Sequence, residues 1–191
     1  MAHAVQLFVG PPRALGRGAW ALGAGRVVAL AQGFAALACD RAALYGVVAR
    51  GALPRARRAK RAYFEGDWHC EGPALDAFGA WLSAGGAVAY LETAYFGGAG
   101  DQGACAWRGG VRVYGPRRDA GGAVNDALAA IGVARTAGDE FASLGLADLR
   151  SNDGARPEGA PPAAVDGRHG GRSTFSARPR GRSIRRPRGG T

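Results

Sequence analysis

The stretch from Gly86 to Pro116 carries the densest run of strand-forming and aromatic residues in the chain. From Val88 to Phe96, Val88, Tyr90, Glu92, Ala94 and Phe96 fall on one alternating face. Ala89, Leu91, Thr93 and Tyr95 fall on the other. A short segment apolar on both faces predicts a central strand covered on both sides. Further on, Ala104 to Trp107, then Arg108-Gly109-Gly110, then Val111 to Tyr114 reads as strand, Gly-Gly turn, strand, which is a hairpin signal. Between these two patterns, Gly97 to Gly103 reads as a glycine-rich loop that needs positive φ at several positions, with Asp101 and Gln102 at its tip.

The flanking patterns predict shorter elements. Ala4 to Val9 is a first strand ended by Gly10-Pro11-Pro12. Pro12 opens a short helix through Trp20 and Leu22, interrupted by Gly16 and Gly18. Arg26 to Cys39 is one long strand bent at Gln32-Gly33, or two strands. Asp40 caps a helix from Arg41 to Arg50 with Leu44, Val47 and Val48 as its buried stripe, closed by Gly51. Pro73 to Ala84 is a helix whose Leu75, Phe78, Trp81 and Leu82 share one face, as core residues do. Pro116 to Gly122 reads as loop. Ala123 to Ile131 is a helix with Val124, Leu128 and Ile131 inward and Gly132 as its C-cap. Asp139 caps a last short helix with Phe141, Leu144 and Leu146. The sum is a single α+β domain over residues 1–150. Its sheet is mainly antiparallel, flanked by three or more short helices.

Chemical motifs narrow the function by exclusion. Gly98 to Gly103 matches G-x-G-x-x-G after a strand, but no helix follows, so the amide end that would meet a pyrophosphate is missing. Tyr63 to Glu71 gathers Glu65, Asp67, Trp68, His69 and Cys70. Adjacent side chains diverge, so His69 and Cys70 do not form a base and nucleophile. No metal-ligand spacing, phosphate loop or nucleophile elbow appears, and no metal or cofactor is expected. Glu92 is the exception on its strand, because a buried carboxylate needs a partner or a raised pKa. It sits at a strand end, pairs with an arginine, or is functional.

Composition refines this picture in two places. The 191 residues carry a formal charge of +10, yet the charge is local. Pro54 to Arg61 is a basic connector with Arg55, Arg57, Arg58, Lys60 and Arg61, and residues 151–191 hold nine Arg against three acids. That last segment has almost nothing to bury and reads as a disordered Arg/Gly/Pro-rich tail. Arg, Gly, Pro and Ser are also what GC-rich DNA encodes in a shifted frame, so an out-of-frame extension is a second reading of it. Cys39, Cys70 and Cys105 are too few and too scattered for a disulfide framework. The N-terminus lacks a basic leader region. The longest apolar run, Val27 to Cys39, is thirteen residues, too short to span a bilayer. A cytoplasmic protein with no membrane contact is expected.

The run VAYLETAYFGGAGDQGACAW resembles the signature of a family of small uncharacterised bacterial proteins, V-A-Y-x-E-x-x-Y-F-G-G-x-G-x-Q-x-A-x-x-W. Gln32-Gly33-Phe34, the Val124 to Leu128 segment and Asp139-Glu140-Phe141 extend the resemblance over about residues 1–148. The tail departs from it. The resemblance implies no assigned activity, and an immunity-like or toxin-neutralising role.

Three functions follow. The first is a non-enzymatic protein-binding protein, immunity-like or accessory, with candidate contacts Glu65, Asp67, Trp68, Glu92, Tyr95, Asp101, Gln102 and Trp107. The second is non-specific nucleic-acid binding through segments 55–61 and 168–188. The third is a hydrolase with a carboxylate pair, Glu92 with Asp101 or Glu65 with Asp67.

Overall fold

Six strands form one sheet in the order β2-β3-β1-β4-β5-β6, and every neighbouring pair is antiparallel. They are β1 (His3–Gly10), β2 (Val27–Ala29), β3 (Ala35–Ala38), β4 (Val88–Phe96), β5 (Ala99–Arg108) and β6 (Val111–Asp119). The helices are α1 (Pro12–Leu22), α2 (Arg41–Ala49), α3 (Pro73–Leu82), α4 (Ala123–Ile131) and α5 (Glu140–Ser143). This is the expected α+β architecture. The computed structural model describes residues 3–23, 25–51, 72–96 and 99–149. All described residues belong to one compact unit. The basic connector and the Arg-rich tail lie outside the described residues.

The alternation along β4 gives the sheet two buried faces. Val88 and Tyr90 point to one side with Phe8, Leu37, Cys105 and Trp107, against Leu15 of α1, Leu44 and Val47 of α2, and Leu75, Phe78 and Leu82 of α3. Ala89 and Leu91 point to the other side with Val5, Leu7, Ala104 and Ala106, against Val124, Leu128 and Ile131 of α4 and Leu144 and Leu146 beyond α5. Small residues in the strands, many of them alanine, let α4 approach the second face closely. Phe78 and Trp81 of α3 stack with ring centroids 5.7 Å apart, and Arg17 lies 4.7 Å above the Trp81 ring.

Three expected features differ. The glycines of α1 do not interrupt it. At Gly18 a β-carbon would come within 2.8 Å of Leu37 and 2.9 Å of Leu82, so glycine is the residue that lets this helix sit down on the core. The glycine-rich loop is mostly strand. β5 starts at Ala99, and Tyr95 pairs with Gly100. Gly100, at φ 157°, meets the Ala94 carbonyl so closely that a β-carbon has no room. Its glycine serves backbone approach rather than a turn. Asp101 and Gln102 therefore point to opposite faces of β5 instead of crowning a loop. Finally, β6 runs on through Pro116 to Asp119, where a loop was expected. Proline fits there because β6 is an edge strand, where a missing N–H breaks no ladder.

The Arg26–Cys39 segment is two strands joined by a turn at Ala31–Gly33. Gln32 takes a left-handed conformation, φ 58°. Its amide compensates by closing on Ala134. Nε2 donates to the Ala134 carbonyl at 2.8 Å, and Oε1 accepts from the Ala134 N–H at 2.9 Å. The turn is thereby tied to the chain that leaves α4. Asp40 and Asp139 cap α2 and α5 as expected, accepting from Ala43 N and Ala142 N, each at 2.8 Å. The Val48 side chain lies outside the described set.

Candidate binding cleft

The site grows from the register of β4 on β5. Thr93 pairs with Gln102, so both side chains leave the sheet on the α4 side, beyond the apolar patch of Leu91 and Ala104. Tyr95 follows two residues later on the same face. Gln102 is buried and must satisfy both ends of its amide. Oε1 accepts from Val124 N at the start of α4 at 2.7 Å, and Nε2 donates to the Tyr95 hydroxyl at 2.9 Å. The Tyr95 hydroxyl donates onward to the Ala120 carbonyl at 2.7 Å. One glutamine thus fixes the position of α4 and the orientation of the tyrosine.

A second circuit closes the opposite wall. Asn125 of α4 donates through Nδ2 to Asp139 Oδ2 at 3.1 Å, and its Oδ1 accepts from Phe141 N at 3.0 Å. Thr93 Oγ1 accepts from Val5 N at 3.2 Å. Between these walls lies a cleft of about 190 Å³, lined by Thr93, Tyr95, Gln102, Val124, Asn125, Asp139 and Phe141. Its polar groups are held by hydrogen bonds before any ligand arrives, and two aromatic residues contribute to its lining.

The charge of the described body is patterned. Asp76, Asp101, Asp119, Asp126 and Glu140 each pair with an arginine at 2.6–3.1 Å. The Arg135 guanidinium, hydrogen-bonded to Glu140 at 3.1 Å, holds that carboxyl below its usual range. Asp139, the one carboxylate in the cleft lining, pairs with no arginine among the described residues. No group of three or more His, Cys, Asp or Glu side chains is placed to hold a metal ion among the described residues.

Of the residues singled out in the sequence, Tyr95 and Gln102 come together in this cleft. Glu92 and Asp101 lie on the opposite face of the same two strands. Glu92 pairs in register with Gly103, and Asp101 sits one diagonal step away. Glu92 is buried, and its Oε1 accepts from Gln6 Nε2 at 3.0 Å. Asp101 Oδ2 accepts from Arg118 Nη2 at 2.6 Å and Nε at 3.2 Å. Trp107 is fully enclosed, with Nε1 donating to Asp76 at 2.8 Å; it is a core residue, closed to any partner. Glu65, Asp67 and Trp68 lie outside the described residues, as do Arg55, Arg57, Arg58, Lys60, Arg61 and segment 168–188.

Sequence reasoning missed Thr93, Asn125, Asp139 and Phe141 as site residues. Thr93 reads as one more strand residue, Asn125 as one more residue of the Ala123–Ile131 helix, and Asp139 as a cap. The segments on which the resemblance was drawn supply most of these residues. The central run, the Val124–Leu128 segment and Asp139–Phe141 converge on the two walls of the cleft.

The thiols stand apart from this site. Cys39 and Cys105 are buried, and neither forms a disulfide. Burial, helped by the neighbouring Asp40 carboxylate, raises the Cys39 pKa above the ordinary thiol value. We expect iodoacetamide at mildly alkaline pH to leave Cys39 unmodified in the native protein and to modify it after unfolding, read by peptide mass spectrometry. The sign for stability follows. Only the unfolded thiol ionises as pH rises past the ordinary thiol range, so stability falls there. Native-state labelling as fast as that of the unfolded chain would contradict this.

No family model matches the chain, and no curated protein or solved structure matches it.

Proposed function

We propose that the protein is a non-enzymatic protein-binding protein, immunity-like or accessory, that engages its partner at the cleft between β4–β5 and α4–α5. The observation that carries this reading is the size of the cleft together with its preformed walls. At about 190 Å³ it falls below the roughly 300–1,000 Å³ of small-molecule sites, and suits one inserted side chain. Its hydrogen bonds are already made, so little ordering cost remains at binding. A tyrosine and a phenylalanine beside amides and a carboxylate match the chemistry of interface anchor points. The polar groups of the cleft bond to one another and to backbone, which suits recognition better than proton transfer.

The nucleic-acid reading rests on segments outside the described residues. Within the described body, Arg112, Arg117, Arg118 and Arg135 are each tied to a carboxylate, which leaves them less available to phosphates. For the carboxylate pair, Glu92 and Asp101 are already engaged by Gln6 and Arg118. No helix among the described residues is long and apolar enough to cross a membrane. A cytoplasmic location belongs to the same proposal.

The test is photo-crosslinking from the full chain in its own cells. A photoreactive residue at Ala142, exposed beside Phe141, is compared with one at the equally exposed Ala84 next to α3. The same protein captured from Ala142 and not from Ala84 supports the reading. No capture that distinguishes the two positions overturns it.

A further inference from the structure

We infer that the group a partner places in this cleft is a cationic side chain, with arginine the best fit. This rests on the protein-binding reading above and names the chemistry it uses. The first observation is that Asp139 makes no ion pair within hydrogen-bonding distance among the described residues. The described body matches five carboxylates with arginines, yet the carboxylate that lines the cleft is left without one. Arg135 acts on Asp139 at longer range and spends its hydrogen bond on Glu140.

The second observation is the donor and acceptor count. A carboxylate offers about four lone-pair sites. Asp139 uses one on Ala142 N at 2.8 Å and one on Asn125 Nδ2 at 3.1 Å. The Asn125 carbonyl uses one of its two on Phe141 N at 3.0 Å. Acceptor capacity and one negative charge therefore remain in the walls. The Tyr95 hydroxyl already donates to Ala120, while Gln102 and Asn125 each have a second amide N–H, so it is the charge of Asp139 rather than the donor count that sets the preference.

The third is the lining itself. Tyr95 and Phe141 supply aromatic surface, which favours a weakly hydrated guanidinium over an ammonium. The competing guests fare worse. An anionic side chain meets the charge of Asp139. An apolar one strips water from that carboxylate and gives nothing back.

The experiment uses the full chain labelled for NMR, with three capped amino acids as probes: Nα-acetylarginine amide, Nα-acetyllysine amide and the neutral isostere Nα-acetylcitrulline amide. The arginine probe should shift the Asn125 and Gln102 side-chain amide signals saturably at millimolar concentration. The citrulline probe should bind about tenfold more weakly, because its ureido N–H groups still donate but without the positive charge that strengthens the bond to a carboxylate. The lysine probe should fall between them. Asp139→Asn should abolish the difference between arginine and citrulline. It also turns an amide toward Asn125, so Asp139→Ser, which keeps a capping oxygen for Ala142 N, is the second variant, with native melting checked for both. Equal shifts from arginine and citrulline, or shifts mapped away from Asn125, overturn the inference.

The two proposals fail separately. A partner still captured from Ala142 in the Asp139→Ser background sinks the cation and leaves the protein-binding reading standing. Arginine selectivity with no captured protein does the reverse.

Discussion

Trp107→Ala should lower the free energy of unfolding by about 3–5 kcal/mol, the range for removing a large aromatic side chain from a core. The indole is fully enclosed in the core on the face covered by α1, α2 and α3. Phe8 lies 5.9 Å from it, centroid to centroid. Gly79 of α3 has no side chain because its position is filled by the indole. A β-carbon there would come within 2.5–2.6 Å of three ring atoms. Alanine at 107 therefore opens a cavity that α3 cannot close without leaving its other contacts. It also removes the Nε1–H donor from Asp76, although Arg112 still holds that carboxylate at 2.7 Å. A domain stable by about 5–15 kcal/mol loses about a fifth or more of its margin. Urea denaturation should show a lower midpoint with an unchanged slope. Gly79→Ala is the complementary variant, since it crowds the same contact from the other side and should cost about 1–3 kcal/mol. A loss below about 1 kcal/mol for Trp107→Ala would mean that the indole is not what α3 packs on.

Much of this core was legible in the sequence because periodicity reports burial directly. Val88 to Leu91 is apolar on both faces, and β4 lies between β1 and β5 with helices on either side. Leu75, Phe78 and Leu82 recur at helical spacing, and all three are buried. What was misread turns on glycine and proline. Gly100 and Gly18 lack a side chain for the same physical reason, close approach of another group. Composition cannot separate that use from a turn. Pro116 ends a central strand but not an edge strand, and the edge is a property of the whole sheet. Two of the seven residues lining the cleft were legible. Tyr95 stands out as a polar aromatic on an apolar strand, and Gln102 as a polar residue in what reads as a glycine-rich loop. Asn125 and Asp139 carry their meaning only in contact with each other, across fourteen residues and two elements. Trp107 looked like an interface anchor because a large aromatic has the same sequence appearance whether its pocket lies in a partner or in its own chain.

Gln102→Leu should cost about 2 kcal/mol, and the more informative result is its coupling to Tyr95→Phe. Leucine has nearly the volume of glutamine, so the core need not collapse or swell. What is lost is polar satisfaction. The buried hydrogen bond from Val124 N loses its acceptor, and an unsatisfied buried donor costs about 1–3 kcal/mol. The Tyr95 hydroxyl loses the amide that donates to it but keeps its bond to Ala120, which is exposed. Tyr95→Phe should cost less, about 1 kcal/mol, since water can replace the hydroxyl at the Ala120 carbonyl while the Gln102 amide is left short of one acceptor. If both residues act through one circuit, the double variant should cost less than the two single ones added, by about 0.5–1 kcal/mol. Chemical denaturation of the four proteins gives the cycle. Strict additivity would break the link between the strand and the tyrosine. The position of Tyr95 in the cleft would then have to come from packing. Coupling of the expected size would mean that the residue holding α4 onto the sheet also sets one wall of the recognition cleft.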